Sequence, residues 1–260
     1  MSSSVLSNKS RDFKDNYRNT PLTVVKNRRE KNKTDEIREQ EKKHAEILSV
    51  IKEYEREHTL NSFEKSKAIF DRVFSAVVLL CLAPIFALFA LIIKIESKGP
   101  VFFKHKRTGK GGETFEVFKF RTMIEDAHLL QHKLEDINEM KGGLLFKSDR
   151  DPRVTKIGKI MRKYSIDELP QFINIFKGDM SVIGPRPIST PIEMFKERHL
   201  KRFAVKPGLG AIWQAYFRRD TDFDQWMRTD LIYVDNQSLK LDLKLFFIIL
   251  KNAITGKGAR

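Results

Sequence analysis

The sequence has little cysteine and no apolar leader. Cys81 is the single cysteine among 260 residues, which excludes an intramolecular disulfide. A chain without a disulfide fits a protein that faces the cytosol, and Cys81 itself lies inside an apolar run. The first residues, MSSSVLSNKSRDF, hold no apolar core, so we expect no signal peptide here. The sequence also lacks an internal repeat, which argues against a repeat architecture.

Acidic residues are too few to balance the basic ones. The chain carries 49 Lys and Arg against 34 Asp and Glu, for a formal net charge of +15. An excess of this size indicates an anionic partner, which could be a phospholipid surface, a nucleotide or a nucleic acid. Charge alone leaves these three open. The length of 260 residues suits one domain with an appendage.

Charged side chains are absent from residues 73–93, an apolar run long enough to span a bilayer. Pro84 lies at its centre and removes one backbone hydrogen-bond donor. Basic residues flank the run on both sides, and basic flanks tend to stay in the cytoplasm. These features predict either a re-entrant helix broken at Pro84 or a signal-anchor helix that tolerates the proline. In the re-entrant form, Ser75 could partner the carbonyls that the proline frees.

Hydrophobic periodicity predicts a mainly helical α+β fold. Residues 34–58 have a thin apolar stripe, which fits a solvated helix better than a coiled coil. Alternation of apolar and polar residues over Thr114–Phe120 predicts one strand of a small β-hairpin. Further helices are predicted at 124–139, 165–177, 188–203 and 239–254. The last has a very apolar face beside lysines, as in a helix at a membrane interface or one buried in the domain.

Asp167 and Glu168 are adjacent carboxylates in a stretch rich in cations. A carboxylate can attack phosphorus, and it can also hold Mg²⁺ beside substrate phosphates. Such a pair among cations indicates chemistry on a phosphorylated substrate. The alternative is structural, because Ser165 and Glu168 have the spacing of a capping box at the start of an ordinary helix. The surrounding basic residues are Arg153, Lys156, Lys159, Arg162, Lys163 and Lys177.

Two further patterns bear on binding. Arg186 lies between Pro185 and Pro187, which restrict the backbone and lower the entropy cost of aiming its side chain. His128 and His132 are four residues apart on a predicted helix, a spacing that zinc ligands use. No third ligand and no HExxH sequence accompany them, so a polar helix face is the preferred interpretation.

Several motifs occur together in one order. DELPQ covers Asp167–Gln171, and GDMSVIGPRP covers Gly178–Pro187. The other matches are RxGxxGxxF at Arg107–Phe115, KFRTM at Lys119–Met123 and KPG at Lys206–Gly208. Over about residues 67–257, these motifs resemble the signature of the bacterial sugar transferases that act on polyprenyl phosphate. These enzymes are the polyprenyl-phosphate hexose-1-phosphate transferases, or monotopic phosphoglycosyl transferases.

The resemblance implies a role for the motif residues. Asp167 would be the nucleophile, and Glu168 would be the ligand of Mg²⁺. The residues that would contact the donor or acceptor phosphates are Lys119, Arg121, Arg153, Arg162, Arg186, Lys206 and Arg218. The sequence departs from the family after the KPG motif, where a threonine is missing, and Phe217 stands where a glycine is usual. These departures concern recognition of the donor.

The resemblance also implies an activity and a location. The protein would transfer a sugar 1-phosphate from a UDP-sugar to undecaprenyl phosphate, through a phosphosugar on Asp167, and would release UMP. Leu145-Phe146-Lys147 and Trp213-Gln214 resemble the members that use glucose or galactose. The enzyme would be monotopic, would lie on the cytoplasmic face of the bacterial inner membrane, and would begin surface polysaccharide assembly.

Three segments follow from this interpretation: a polar extension at 1–66, a re-entrant membrane hairpin at 67–97 and a compact cytosolic catalytic domain at 98–260. The extension is not expected to build the active site, although its helix could pair with its copy in a homodimer. The expected partners are the UDP-sugar, the polyprenyl phosphate and membrane lipid. The alternative is a membrane-anchored basic scaffold for anionic lipid or nucleic acid. Since the chain has no recognisable nucleic-acid module, nucleic acid is not an expected partner.

Overall fold

The structure is a computed structural model that describes residues 22–59, 62–127, 129–130, 134, 148, 151–218 and 222–256. The chain divides after Glu46 into two compact units. The described part of the first unit belongs to helix α1, Leu22–Thr59, whose range contains the helix predicted at 34–58. The second unit begins at Ile47 and carries the other described elements.

Among the described residues, the second unit is mainly helical with two small two-stranded sheets, in agreement with the predicted α+β class. Its helices are α2 (Ser62–Glu96), α3 (Lys156–Lys163), α4 (Gln171–Lys177), α5 (Glu197–Leu200), α6 (Ile212–Tyr216), α7 (Phe223–Asn236) and α8 (Leu239–Thr255). Strands β1 (Phe102–Thr108) and β2 (Thr114–Phe120) form the predicted antiparallel hairpin, and β3 (Ser181–Ile183) pairs in parallel with β4 (Gly208–Gly210).

Helix α2 contains the uncharged run and includes Pro84 within one element. In the part of the chain that the structure describes, Phe63–Glu96 is the one helix long and apolar enough to cross a membrane. Much of its surface is exposed, as at Leu80, which is 78% exposed. Ser75 donates to the Arg72 carbonyl (2.9 Å), so the prediction that it partners the carbonyls freed by the proline is wrong.

Both ends of α2 are bound to the body of the second unit. Near its start, the Ser181 hydroxyl donates to the Asp71 carboxylate at 2.6 Å. At its other end, Glu96 accepts a hydrogen bond from the Ile157 amide at 3.1 Å. The helix is therefore held by the same folded unit before and after its proline.

The last turns of α1 belong to the core of the second unit. Ile51 is fully buried there, and Ile47 and Val50 pack against the same cluster. The other buried members of this cluster are Ile188, Ile192, Phe195, Leu200, Phe203, Trp213, Trp226 and Met227. The domain boundary predicted at residue 66 therefore falls inside the second unit, because these turns of α1 supply part of its core.

Two of the predicted helices are not continuous in the structure. The segment 165–177 is a 3-10 turn, Ile166–Glu168, followed by α4, with Pro170 between them. Proline has no amide hydrogen to continue a regular helix. The segment 188–203 is likewise short turns on either side of α5, which is only four residues long. The helix predicted at 239–254 is confirmed as α8, whereas most of 124–139 lies outside the described residues.

Candidate active site

The acidic pair lies on the 3-10 turn Ile166–Glu168. Ser165, just before the turn, has a left-handed backbone with φ of 58°, and its side chain makes no cap hydrogen bond. Its hydroxyl instead accepts a hydrogen bond from Arg218 (2.9 Å from Nη2 to Oγ). The capping-box interpretation is therefore wrong. The turn directs Asp167 and Glu168 into the interior, where each is 8% exposed.

Glu168 is held as an anion by two cations. Lys119 lies 2.8 Å from its Oε1, and Arg186 donates to both carboxylate oxygens, with 3.2 Å between Nη1 and Oε2. The Gln214 amide lies 3.5 Å from Oε2. Burial alone would raise the pKa of Glu168, but Arg186 and Lys119 outweigh it and hold that pKa well below its usual range. Glu168 is therefore a fixed negative charge.

Asp167 has a different environment. It accepts no hydrogen bond from a described residue, and the Lys119 amine lies 4.0 Å from its Oδ2. Burial raises the pKa of Asp167 above its ordinary value, and the charge of Glu168 adds to this effect, while Lys119 and Arg162 lower it. Once ionised, this carboxylate is weakly stabilised by its surroundings. It therefore keeps its oxygen lone pairs available to an electrophile.

Further cations make the region around the pair electropositive. Burial and the charge of Arg186 lower the pKa of Arg107 to about 10, while Glu168 raises it. Burial, Arg107 and Lys119 lower the pKa of His105 to about 4, so this imidazole is neutral near pH 7. The cations that act on the two carboxylates are Arg107, Lys119, Arg162, Arg186 and Arg218. Five cations against two anions form a site suited to phosphate groups.

The structure brings six of the predicted site residues together: Asp167, Glu168, Lys119, Arg162, Arg186 and Arg218. Arg162 reaches the site from α3, and its Nε donates to the Thr122 hydroxyl at 3.0 Å. Burial lowers the pKa of Arg162, whereas Asp167 raises it. The hairpin strand β2, the end of α3 and the loop after β3 thus meet at the acidic pair.

Two of the predicted phosphate ligands are committed to internal contacts. Arg121 donates to the backbone carbonyls of Ser97 (2.8 Å) and Lys98 at the end of α2. Arg153 pairs with Asp151 through two hydrogen bonds of 2.9 and 2.7 Å, and both side chains are almost fully buried. In this structure both guanidinium groups bind protein atoms.

Lys206 lies in another part of the second unit. It lines a small cavity at the base of α2, together with Glu64 and Asp71. Burial lowers the pKa of Lys206, and the charge of Arg72 lowers it further. The KPG motif serves the fold here: a side chain at Gly208 would meet the backbone of Gly184 at 2.0 Å, so only glycine fits between β3 and β4.

Three residues at the site were missing from the predicted set. Arg107 opens the RxGxxGxxF motif, and Gln214 follows Trp213, so a closer reading of these motifs could have identified both. His105 lies two residues before Arg107 on β1, so it faces the same side of the hairpin. No sequence pattern marks it, since a single histidine in a strand is common.

A divalent cation finds few ligands in the described part of the chain, where no cluster of three or more acidic, histidine or cysteine side chains occurs. Mg²⁺ takes many of its ligands from water and substrate phosphates, so it needs few from the protein. The Gln214 carbonyl oxygen is buried and has no hydrogen-bond partner among described residues. The Gln214 amide nitrogen faces Glu168 at 3.5 Å, so the same side chain could offer its oxygen to a magnesium ion held by Glu168. His128 and His132, for which a polar helix face is preferred over a zinc site, lie outside the described residues.

Comparison with known proteins agrees with the motifs. Residues 62–256 match the family described as bacterial sugar transferase. The galactosyl transferase CpsE of Streptococcus agalactiae is 40% identical over 187 residues, which cover 71% of this chain and 41% of that protein. The exopolysaccharide production protein ExoY of Rhizobium meliloti is 35% identical over 198 residues, 75% of this chain and 88% of that protein. The undecaprenyl-phosphate galactose phosphotransferase of Salmonella typhimurium is 35% identical over 198 residues, 74% of this chain and 41% of that protein.

The chain thus spans about two fifths of the length of the first and third of these relatives and most of the second. The matched residues include the acidic pair, the hairpin and the cationic side chains around them. Because the family match covers well over half of the sequence, the chain belongs to the bacterial sugar transferase family.

Proposed function

We propose that this protein transfers a sugar 1-phosphate from a UDP-sugar to undecaprenyl phosphate. The observation that carries the proposal is the contrast within the acidic pair. Asp167 is buried without a hydrogen bond from a described residue, and Glu168 beside it is held by Lys119 and Arg186. A reactive carboxylate in a pocket of excess positive charge suits attack on a phosphate ester.

In the first step, an Asp167 oxygen forms a bond to the sugar-bearing phosphorus. The bond between that phosphorus and the bridging oxygen breaks, and UMP leaves with the electron pair. The sugar phosphate is then joined to Asp167 as an acyl phosphate. In the second step, a phosphate oxygen of undecaprenyl phosphate attacks the same phosphorus, and the Asp167 carboxylate leaves. The product is an undecaprenyl diphosphate sugar.

The cations around the pair would stabilise charge during both steps. Arg107, Arg162 and Arg218 supply guanidinium forks, which bind phosphate oxygens in pairs. Glu168 and the Gln214 carbonyl oxygen would hold Mg²⁺. When bound, this ion would neutralise negative charge on the phosphate groups. Lys119 lies between the two carboxylates, at 2.8 Å from Glu168 and 4.0 Å from Asp167, and so limits their mutual repulsion.

Glucose or galactose is the sugar that we propose. Relatives of this chain carry names that specify galactose and glucose, and another carries the name of an N-acetylgalactosamine transferase. Trp213 stacks on Trp226 with 4.5 Å between ring centroids and is 5% exposed. Its part in the choice of sugar would therefore be indirect, through the placement of Gln214.

A re-entrant path for α2 is supported by its contacts. The helix is bonded to the catalytic body both before Pro84, through Asp71, and after it, through Glu96. A helix that crossed the membrane would place these ends on opposite sides of about 30 Å of hydrocarbon. One folded unit cannot bind both ends in that case. The basic flanks of the run would put this unit on the cytoplasmic side.

Helix α8 would add a second membrane contact. Its exposed apolar side chains recur at spacings of three and four residues, which places them on one face. They are Leu239, Leu243, Phe247, Leu250 and Ile254. The neighbouring exposed lysines are Lys240, Lys244 and Lys251. An apolar stripe beside lysines suits the boundary between acyl chains and anionic headgroups.

The test is to incubate the purified protein in detergent with labelled UDP-glucose or UDP-galactose, Mg²⁺ and undecaprenyl phosphate. We expect UMP release when the lipid is present. Without the lipid, intact-mass measurement should find one phosphohexose added to the protein. Asp167→Asn is the matched control, because it keeps the size of the side chain and removes the nucleophile. A basic scaffold protein would release no UMP and gain no mass.

A further inference from the structure

A buried ion pair lies behind the active-site arginine. Arg202, on the turn Lys201–Ala204, and Asp230, on α7, have side chains that are 2% and 1% exposed. The Nε and Nη2 atoms of Arg202 donate to Asp230 Oδ2 at 3.0 and 2.8 Å. Neither residue acts directly on Asp167 or Glu168 in the proposed chemistry.

The same guanidinium also binds the backbone of Arg186. Arg202 Nη2 donates to the Arg186 carbonyl oxygen at 2.5 Å. This carbonyl belongs to the segment Pro185–Pro187, where the two prolines already restrict the backbone. Because the prolines restrict this backbone and Arg202 binds the carbonyl, Arg202 fixes the peptide from which the Arg186 side chain extends. That side chain is the one that meets both oxygens of Glu168.

Aromatic rings hold Arg202 in place. Its guanidinium carbon lies 5.0 Å from the centroid of Phe203 and 5.8 Å from that of Phe195. Asp230 binds Arg202 through one oxygen, and its Oδ1 has no hydrogen-bond partner among the described residues. Burial raises the pKa of Asp230 to about 6, while Arg202 and Arg186 oppose this rise. Arg202 is thus the residue that links Asp230 to the Arg186 backbone, through the carbonyl of Arg186.

Stability alone is a poor explanation for such a pair. The desolvation cost of two buried charges often equals or exceeds their attraction, and apolar replacements can be neutral or stabilising. A hydrogen bond to a catalytic loop has a clearer consequence. A displacement of about 1 Å in a catalytic group can lower a rate about a hundredfold.

We propose that Arg202 and Asp230 are positioning residues, which fix the Arg186 backbone so that its guanidinium meets Glu168 and a donor phosphate. The inference rests on the proposed function, because the alignment of Arg186 affects a rate only if Glu168 and a donor phosphate take part in the reaction. It assigns Arg202 and Asp230 no contact with substrate. Their effect on the reaction passes through Arg186 alone.

The test is a double-mutant cycle on the rate of UMP release in a single turnover. Asp230→Asn should lower this rate by a factor on the order of ten to a hundred in the wild-type background. In an Arg186→Lys background it should lower the rate less than about threefold, because the group that it aligns is already lost. Arg202→Lys should lower the rate by a similar factor in the wild-type background and by less in the Arg186→Lys background. It replaces Asp230→Asn in the cycle if that variant does not fold.

Asp242→Asn is the matched control. Asp242 is also a buried carboxylate with a cationic partner, Lys67, but the described hydrogen bonds and ion pairs of its side chain go to Lys67 and Tyr233 and not to Arg186. Asp242→Asn should change the rate of UMP release by the same factor in the wild-type and Arg186→Lys backgrounds. Equal factors for Asp230→Asn in the two backgrounds would overturn the inference, since a general loss of stability acts independently of Arg186.

A second cycle separates this inference from the proposed function. The fall in thermal unfolding temperature caused by Asp230→Asn should be smaller in a Glu168→Gln background than in wild type, because Arg186 then has no carboxylate to meet. This measurement needs no substrate. A wild-type protein that releases no UMP overturns the proposed function, while additive temperature shifts overturn the positioning role.

Discussion

Arg186 donates to both carboxylate oxygens of Glu168, while Asp167, the residue before it in the chain, accepts no hydrogen bond from a described residue. Two adjacent carboxylates with the same exposure therefore have pKa values displaced in opposite directions. The difference comes from the short 3-10 turn, which directs one side chain to the cations and leaves the other apart. The different environments of Asp167 and Glu168 have consequences for the stability of the protein, for the pH dependence of its reaction and for metal binding.

Amide substitutions at the two positions should change stability in opposite directions at pH 7. Asp167 has a raised pKa, so its stabilising contribution is present at low pH and is lost as pH rises through that pKa. Asp167→Asn should therefore raise the unfolding temperature. Glu168 has a lowered pKa, so its contribution is present at neutral pH and is lost as pH falls through that pKa.

Glu168→Gln should accordingly lower the unfolding temperature. The loss should be about 2–3 kcal/mol, below that for a fully buried pair, because the Arg186 side chain is 21% exposed. Both variants should lose UMP release. Thermal unfolding in one detergent, with urea titration as a check, measures the two changes. Shifts of the same sign would contradict the assigned environments.

The rate of adduct formation should rise with pH as Asp167 loses its proton. Because burial raises the pKa of Asp167, the midpoint should lie above the ordinary value for aspartate. Lys119 lowers that pKa, so Lys119→Met should move the midpoint to higher pH. Lys104→Met is the control, since Lys104 is 53% exposed and pairs with Glu116 instead. Single-turnover rates over a pH series test this, and a downward shift would disprove it.

Gln214→Leu should weaken the response to Mg²⁺. The variant removes the buried carbonyl oxygen that is proposed as a ligand of Mg²⁺. Losing even a residue that only orients a metal ligand costs about tenfold or more in affinity. The Mg²⁺ concentration for half-maximal UMP release should rise by about that factor. Gln225→Leu, at the start of α7, is the control. An unchanged Mg²⁺ response with a lower maximal rate would make Gln214 a structural residue.

Two N-terminally truncated proteins should differ sharply in stability and in activity. A chain that begins at Ile47 keeps the core residues of α1, and its activity in detergent should match that of the full chain. A chain that begins at Ser62 loses Ile51, which is fully buried, and with it about 2–5 kcal/mol for that side chain alone. Its unfolding temperature and activity should both fall. Equal stability of the two truncated proteins would show that α1 does not complete the core.

Cysteine labelling should locate both ends of α2. In a Cys81→Ser background, single cysteines replace Lys65 and Lys98, which are both exposed. A re-entrant helix predicts that a membrane-impermeant thiol reagent labels each only from the cytoplasmic side. Labelling of one position from the outside would mean a spanning helix. Pro84→Leu should move part of the population toward that spanning state, because it restores the missing backbone donor.

The local chemistry of the site was predictable from the sequence, and its geometry was less so. The acidic pair, Arg186 and the β-hairpin could be identified from motifs and alternation. Whether an arginine remains available to substrate depends on residues brought close by folding. Arg121 reaches carbonyls at the end of α2, more than twenty residues earlier, and no pattern around it indicates this. Ser165 misled the capping prediction because spacing does not reveal a left-handed backbone.

The N-terminal boundary shows the same limit. The thin apolar stripe on α1 predicted a solvated helix. The stripe is too narrow for a helix that is buried on all sides. Among the α1 side chains that the structure describes, Ile51 alone is fully buried, since one face of the last turns meets a cluster formed by distant segments. Periodicity identifies which face is apolar, but not whether the remainder of the protein supplies a matching surface.

The hydrogen bonds from Arg121 to Ser97 and Lys98 join the end of the apolar helix α2 to the strand that carries Lys119 two residues earlier. If α2 lies in a bilayer as proposed, a movement of the helix would act on the backbone next to the lysine that bridges the acidic pair. An apolar helix that does not match the hydrocarbon thickness tilts, or the bilayer around it thickens or thins. Under the proposed function, bilayer thickness would therefore bear on the active site, in addition to the supply of acceptor lipid.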